Sequence, residues 1–153
     1  MPEADIWTYS FPCQDISIAG LRRGLVKGET RSGLLYEVGR LLDVAADNNE
    51  LPKYLLMENV KNLVGEKFKP VFDQWVSFLE ELGYKSYWKV LNARNYGIPQ
   101  NRERVFTVSI RSDIKKEFKF PEPFPLKVFL KDLLDKYSAE TIKLALLQTN
   151  SLE

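Results

Sequence analysis

Along this 153-residue chain the apolar residues switch repeatedly between two spacings, and that alternation limits the fold more than any other feature. Residues 5–10, DIWTYS, are rich in β-branched and aromatic side chains and are stopped by Pro12, which reads as a strand. Leu34, Leu35, Val38, Leu41, Leu42 and Ala45 then recur at helical spacing, with Ser32 placed to cap the helix. Tyr54, Leu55, Leu56 and Met57 form a continuous apolar run, the pattern of a strand covered on both faces in a parallel sheet. A second helix is expected from Pro70, favoured in a first turn, to Leu82, with Gly83 as its stop. Phe72, Trp75, Val76, Leu79 and Leu82 give it a buried stripe. Residues 84–91 and 104–110 complete the series as strands, joined by the turn-rich stretch NARNYGIPQNRE.

Strands alternating with helices imply a mostly parallel α/β sheet. The last two strands are joined by too few residues for a crossover helix, so that pair is expected to be antiparallel. Residues 15–32 read as a loop holding Gly20, Gly24 and Gly28 together with Arg22, Arg23, Lys27 and Arg31. Pro121, Pro123 and Pro125 mark a linker. Residues 127–147 look helical, with Phe129, Leu130, Leu133, Leu134 and Tyr137 on one face. The expected division is therefore 1–126 and 127–153.

Composition removes several classes of function. A hydrophobic content of 44% and a charged content of 28% suit one soluble globular domain. No apolar stretch nears the roughly 20 residues that span a bilayer, and the first residues lack the basic and apolar regions of a secretory signal. One cysteine makes no internal disulfide, which fits a reducing cytoplasm. A net charge of +1 leaves any nucleic-acid affinity to local patches. The absence of histidine rules out a self-contained Ser-His or Cys-His pair and any imidazole metal ligand, and no metal is expected.

Ligands of open α/β sheets bind beyond the carboxyl ends of the parallel strands. Cys13 follows the first strand, Glu58 and Asn59 end the second, and the turn with Gln100, Arg102 and Arg104 follows the third. Arginines beside a cysteine favour the reactive thiolate. A carboxyl group there can donate a proton or grip an N–H edge. The set suits a conjugated heterocycle that accepts a thiol once its far side is hydrogen-bonded. Cytosine fits, and so do many other substrates. Taken singly, Cys13 reads as a small buried apolar residue, Glu58 as a surface carboxylate, and the arginines as a solvated edge.

Three segments, FPCQDISIAG, LLMENVKNL and YGIPQNRERVFTVSIR, resemble in order three signature blocks of cytosine-C5 DNA methyltransferases. The matching residues are Pro12, Cys13 and Gln14; Glu58, Asn59 and Val60; and Gln100, Arg102 and Arg104. SGLLYEVGRLLD and FLEELGY resemble weaker blocks, so the likeness spans residues 5–136. The resemblance implies that Cys13 adds to C6 of a flipped cytosine while Glu58 holds N3 and the amine, and C5 takes a methyl group from S-adenosylmethionine. It implies that Arg104 holds O2 and that Arg102 supports the cysteine region. It assigns Pro12, Gln14, Ser17, Arg31, Asn59 and Gln100 to the substrate side. Ser17 and Arg31 suit phosphate contacts from a loop that closes over DNA, and Pro12 also borders the cofactor. Double-stranded DNA is the implied partner, with no membrane role.

The chain departs from that family where the cofactor should bind. The strand ending in a Phe-x-Gly-x-Gly-type loop and the two acidic blocks after it are missing, and no room remains for a target-recognition domain. The expectation is a partial Rossmann-like methyltransferase sheet without its N-terminal cofactor-binding strands. Such a piece should be inactive by itself and completed by a fragment or subunit carrying the cofactor half. Three other readings stay open: a tRNA cytosine-C5 methyltransferase, a catalytically dead nucleic-acid-binding or interaction module of the same fold, and a redox thiol protein, the last with no resolving cysteine.

Overall fold

The computed structural model describes residues 4–11 and 33–127, in two units: Met1–Asn92 with Arg102–Glu122, and Ala93–Asn101 with Pro123–Glu153. The first unit runs β1 (Ile6–Tyr9), α1 (Gly33–Asp47), β2 (Tyr54–Val60), a 3-10 turn (Lys61–Val64), α2 (Lys69–Glu81), β3 (Tyr84–Asn92) and β4 (Glu103–Arg111). Its sheet has the order β1-β2-β4-β3. β1 and β2 are parallel, and β4 lies antiparallel to both β2 and β3. Three strands therefore run one way and β4 runs against them, which is the mostly parallel sheet with one antiparallel strand that the sequence implies.

The β1-α1-β2 and β2-α2-β3 connections step across the sheet in the same direction. Right-handed crossovers then put both helices on one face. The register agrees. Leu55, Met57 and Asn59 of β2 stand opposite Ser109, Thr107 and Val105 of β4, and all six are buried. Leu35 and Leu42 of α1 and Val71, Phe72, Trp75 and Leu79 of α2 pack with Leu55, Met57, Val105 and Tyr84 in one apolar cluster. Each large side chain removed from water there contributes ~1.5–3 kcal/mol.

Helix ends follow their local chemistry. Pro70 lies in the first turn of α2, where its missing N–H costs nothing. Gly83 ends that helix with φ 87°, and its N–H donates to the Glu80 carbonyl at 2.9 Å. At the end of α1 the left-handed residue is Asn49, φ 57°. The Asn49 N–H reaches the Ala46 carbonyl at 3.0 Å and the Glu50 N–H reaches that of Ala45 at 2.7 Å, the paired bonds of a Schellman turn. Ser32, the expected N-cap of α1, lies outside the described residues, as does 128–147 of the helix expected over 127–147.

The second face corrects an expectation. The run at 54–57 reads as a strand covered on both sides, yet Leu56 is 36% exposed and Ile6 of β1 is 56% exposed. Both helices are spent on the other face. Among the described residues of this unit the open face is covered beside β3, where Tyr87 meets Phe118 edge-on at 6.1 Å and Phe118 meets Phe120 at 4.9 Å.

In the second unit, Phe124 donates its N–H to the Asn95 carbonyl at 2.9 Å, and its ring meets Tyr96 edge-on at 6.1 Å. Gly97 has φ 82°, and a Cβ there would strike the Phe124 ring at 2.9 Å, so glycine is required twice over. No helix of the described residues is long and apolar enough to cross a membrane.

Candidate active site

β2 extends past its apolar run through Glu58 and Asn59 to Val60, because β4 offers pairing partners that far: Phe106, Val105 and Arg104. Strand alternation then sends Glu58 and Asn59 to opposite faces. Glu58 projects onto the open face, and Asn59 onto the helix face.

On the open face Glu58 and Arg104 are diagonal neighbours, a spacing long side chains can bridge. Arg104 Nε lies 3.0 Å from Glu58 Oε1, with the two side chains 23% and 36% exposed. Arg104 also donates from Nη1 to the Glu103 carbonyl at 2.8 Å. Glu103 is held in turn by Lys61 at 2.9 Å, tying the turn after β2 to the start of β4. These bonds engage Glu58 Oε1 and Arg104 Nε and Nη1, and both side chains stay partly exposed. An acceptor and a donor thus sit side by side, matched to the edge of a planar ligand that offers an amine beside a carbonyl.

Asn59 differs from the expectation that it faces substrate. It is 3% exposed. Its Nδ2 donates to the Phe11 carbonyl at 2.8 Å, and its Oδ1 accepts the Val60 N–H at 2.8 Å. A second bond pins the end of β1: the Trp75 indole donates to the Tyr9 hydroxyl at 2.9 Å. Burial there pushes the Tyr9 pKa well above its ordinary value. Sequence reasoning missed both links, since each joins residues dozens of positions apart.

Arg102 is exposed, and its backbone N–H reaches Asn92 Oδ1 at 3.2 Å. Gln100 is exposed in the second unit, where its N–H closes a tight turn on the Ile98 carbonyl at 2.7 Å. Pro12, Cys13, Gln14, Ser17 and Arg31 lie outside the described residues. A surface cavity of about 340 Å³ lined by Lys85, Ile110, Ser112, Lys115 and Lys116 sits at the other end of the strands and takes no part in this site.

A family profile for C-5 cytosine-specific DNA methylase matches residues 1–152. Among curated proteins, the type II methyltransferase M2.ScrFI of Lactococcus lactis subsp. cremoris is 49% identical over 92% of this chain and 38% of its own length. The orphan methyltransferase M.SssI of Spiroplasma monobiae is 51% identical over 69% of this chain and 27% of its own length. The chain therefore spans well under half of either relative. Among solved structures, a triple mutant of Spodoptera frugiperda DNMT2 superposes with a TM-score of 0.62 at 25% identity, over 90% of this chain and 41% of that one. The Entamoeba histolytica methyltransferase EhMeth superposes with a TM-score of 0.57 at 21% identity, a likeness of fold alone. The chain belongs to the C-5 cytosine-specific DNA methylase family.

Proposed function

We propose that this chain is the nucleophile- and base-binding part of a DNA cytosine-C5 methyltransferase. The observation that carries the reading is the Glu58–Arg104 pair, which offers one acceptor and one donor side by side on the open face. A flipped cytosine presents its amine, N3 and O2 along one edge. Glu58 takes the amine and N3, and Arg104 takes O2. The Cys13 thiolate adds to C6: a C6–S bond forms, and the C5–C6 π pair becomes a C4–C5 π bond while the C4–N3 π pair moves to N3. N3 takes a proton from Glu58, which enters this step as the carboxylic acid after taking up a proton from solvent. C5 becomes the nucleophilic carbon of the ring. Arg102, Gln100, Ser17, Arg31, Gln14 and Pro12 serve the DNA side of this arrangement.

The family chemistry implies S-adenosylmethionine as methyl donor, and the described residues do not fit it. Between β2 and α2 the chain carries one glycine, Gly65, and a Cβ there would meet the Asn62 carbonyl oxygen at 3.1 Å, so its own turn fills that space. No glycine-rich cradle opens there for a nucleoside. In our reading a complementary segment supplies the cofactor half, and this chain alone completes no methyl transfer.

The test uses a DNA duplex with 5-fluorocytosine in a relative's target sequence, together with S-adenosylmethionine. The chain is tried alone and with the remaining portion of that relative supplied in trans. We expect no covalent adduct alone, an adduct on complementation, and none with Cys13→Ser. An adduct that survives Cys13→Ser overturns the assignment. DNA that shifts in a salt-dependent way but is never trapped identifies a binding module instead.

A further inference from the structure

We infer that Glu103, latched by Lys61, is the positioning residue for Arg104, an inference that rests on the reading of Arg104 as the partner of the base at O2. Arg104 stands opposite Val60 at the last pair of the β2–β4 ladder, and the β3–β4 ladder ends one position away, at Asn92 and Glu103. Both ladders therefore stop at the corner from which the guanidinium extends. Strand ends are where a sheet opens first, because the outermost pair has a neighbour on one side alone. A side chain that must meet one atom of a ligand is poorly served by a backbone that frays.

Three bonds close that corner. One position outward from Val60, Lys61 opens the turn Lys61–Val64, and its Nζ donates to Glu103 Oε2 at 2.9 Å. On the other flank the Arg102 N–H donates to Asn92 Oδ1 at 3.2 Å. Glu103, between them, is used twice: its carboxylate accepts from Lys61, and its carbonyl accepts from Arg104 Nη1 at 2.8 Å. Holding the carboxylate restrains the peptide whose oxygen the guanidinium grips. The rigid fork of arginine carries that restraint on to Nε, 3.0 Å from Glu58 Oε1. A guest that displaces the Glu58 contact leaves the bond to the Glu103 carbonyl in place, so Arg104 keeps its direction as the base arrives.

Taken alone, a Lys–Glu pair with side chains 55% and 44% exposed is a solvated surface contact that adds little to the fold. The latch differs from it in one consequence. Breaking the pair should leave global stability almost unchanged and loosen Arg104 selectively.

Proton exchange at the arginine Nε–H groups of the isotope-labelled full chain, followed by NMR at fixed pH, reads that consequence directly. The resonance lost in Arg104→Lys identifies the Arg104 signal. Lys61→Met should speed its exchange about threefold. The Nε–H of Arg111, bound to Asp113 at 2.7 Å at the other end of β4, should exchange as before. Lys61→Glu combined with Glu103→Lys reverses the pair and keeps the carbonyl at 103, so it should restore slow exchange. If Lys61→Met loses its cooperative melt, Lys61→Gln is read in its place. An unchanged Arg104 rate, an equal acceleration at Arg111, or a reversed pair that fails to restore the rate overturns the inference. Failure of the 5-fluorocytosine trap with the exchange pattern intact would sink the methyltransferase reading and leave the latch standing.

Discussion

The two faces of this sheet are made by the same strands and do opposite work. The helix face buries Leu55, Met57, Val105 and Tyr84 under α1 and α2, and even its polar members are out of water: Asn59, Thr107 and Ser109 are all buried. The open face keeps Glu58 and Arg104 half-exposed beside Leu56 and Ile6. Stability thus resides on one side and the candidate chemistry on the other, and a residue's parity along β2 decides which it serves.

That division is broken most directly by truncation on each side. Phe72→Ala, a fully buried ring on α2, should destabilise by ~3–5 kcal/mol, enough to threaten folding of a domain of this size. Leu56→Ala on the open face removes a smaller, aliphatic group that is already in contact with water, and should cost under ~1 kcal/mol. Urea midpoints measure both. Equal losses would mean that the open face is packed in solution, and the contrast between faces would fail.

Alkaline pH sharpens the same contrast, because the helix face carries two phenols, Tyr84 buried and Tyr9 partly buried. Burial pushes Tyr84 up to about 12, with nearby Arg111 pulling the other way, and burial raises Tyr9 as well. The Tyr84 hydroxyl donates to the Pro52 carbonyl at 2.6 Å, a bond that ionisation abolishes. A raised folded-state pKa means that the native chain keeps protons the unfolded chain releases from about pH 10 upward. Stability is therefore full below about pH 10 and falls as pH rises toward 12. Tyr84→Phe should lie below the native protein at neutral pH and fall less steeply above pH ~10. Parallel curves for the two proteins would remove Tyr84 from the account.

A smaller effect of the opposite sign comes from Thr107, whose buried hydroxyl finds no partner among the described residues. Thr107→Val keeps the branched shape that suits a strand and should stabilise by up to ~1 kcal/mol in thermal melts. A loss of stability would show that the hydroxyl is satisfied after all.

These contrasts also mark what could be read without coordinates. Gly83 and Pro70 punctuate α2 as their backbone chemistry demands, and the crossover logic alone makes β4 antiparallel. The open face could not be foreseen. Tyr54, Leu55, Leu56 and Met57 are apolar without alternation, and only the placement of both helices on one side leaves Leu56 out. The site divides in the same way. Glu58 and the arginines stand out as charged residues at strand ends, but whether they meet depends on the register that sets Val60 against Arg104. Asn59 was legible only as a neighbour of Glu58. Its partner, the Phe11 carbonyl, is a backbone atom 48 positions away, and a backbone atom leaves no trace in side-chain pattern.

The smallest expected effect concerns the ion pair itself. Glu58 and Arg104 are close enough for a charge-assisted bond, yet both retain contact with water, and such pairs contribute only ~0.2–1 kcal/mol. A double-mutant cycle with Glu58→Gln and Arg104→Met, read by urea midpoint, should return a coupling in that range and weaken further in high salt. The same substitutions should abolish trapping in the complemented enzyme, since the ring would lose its proton donor at N3 or its partner at O2. In the proposed reading the pair is weak for the fold yet needed for the reaction, its charges lying near each other where a guest can displace their contact at little cost. A coupling of ~3 kcal/mol or more would instead make the pair a structural clasp, of the kind found where both partners are buried, and would take Glu58 and Arg104 out of the role given to them.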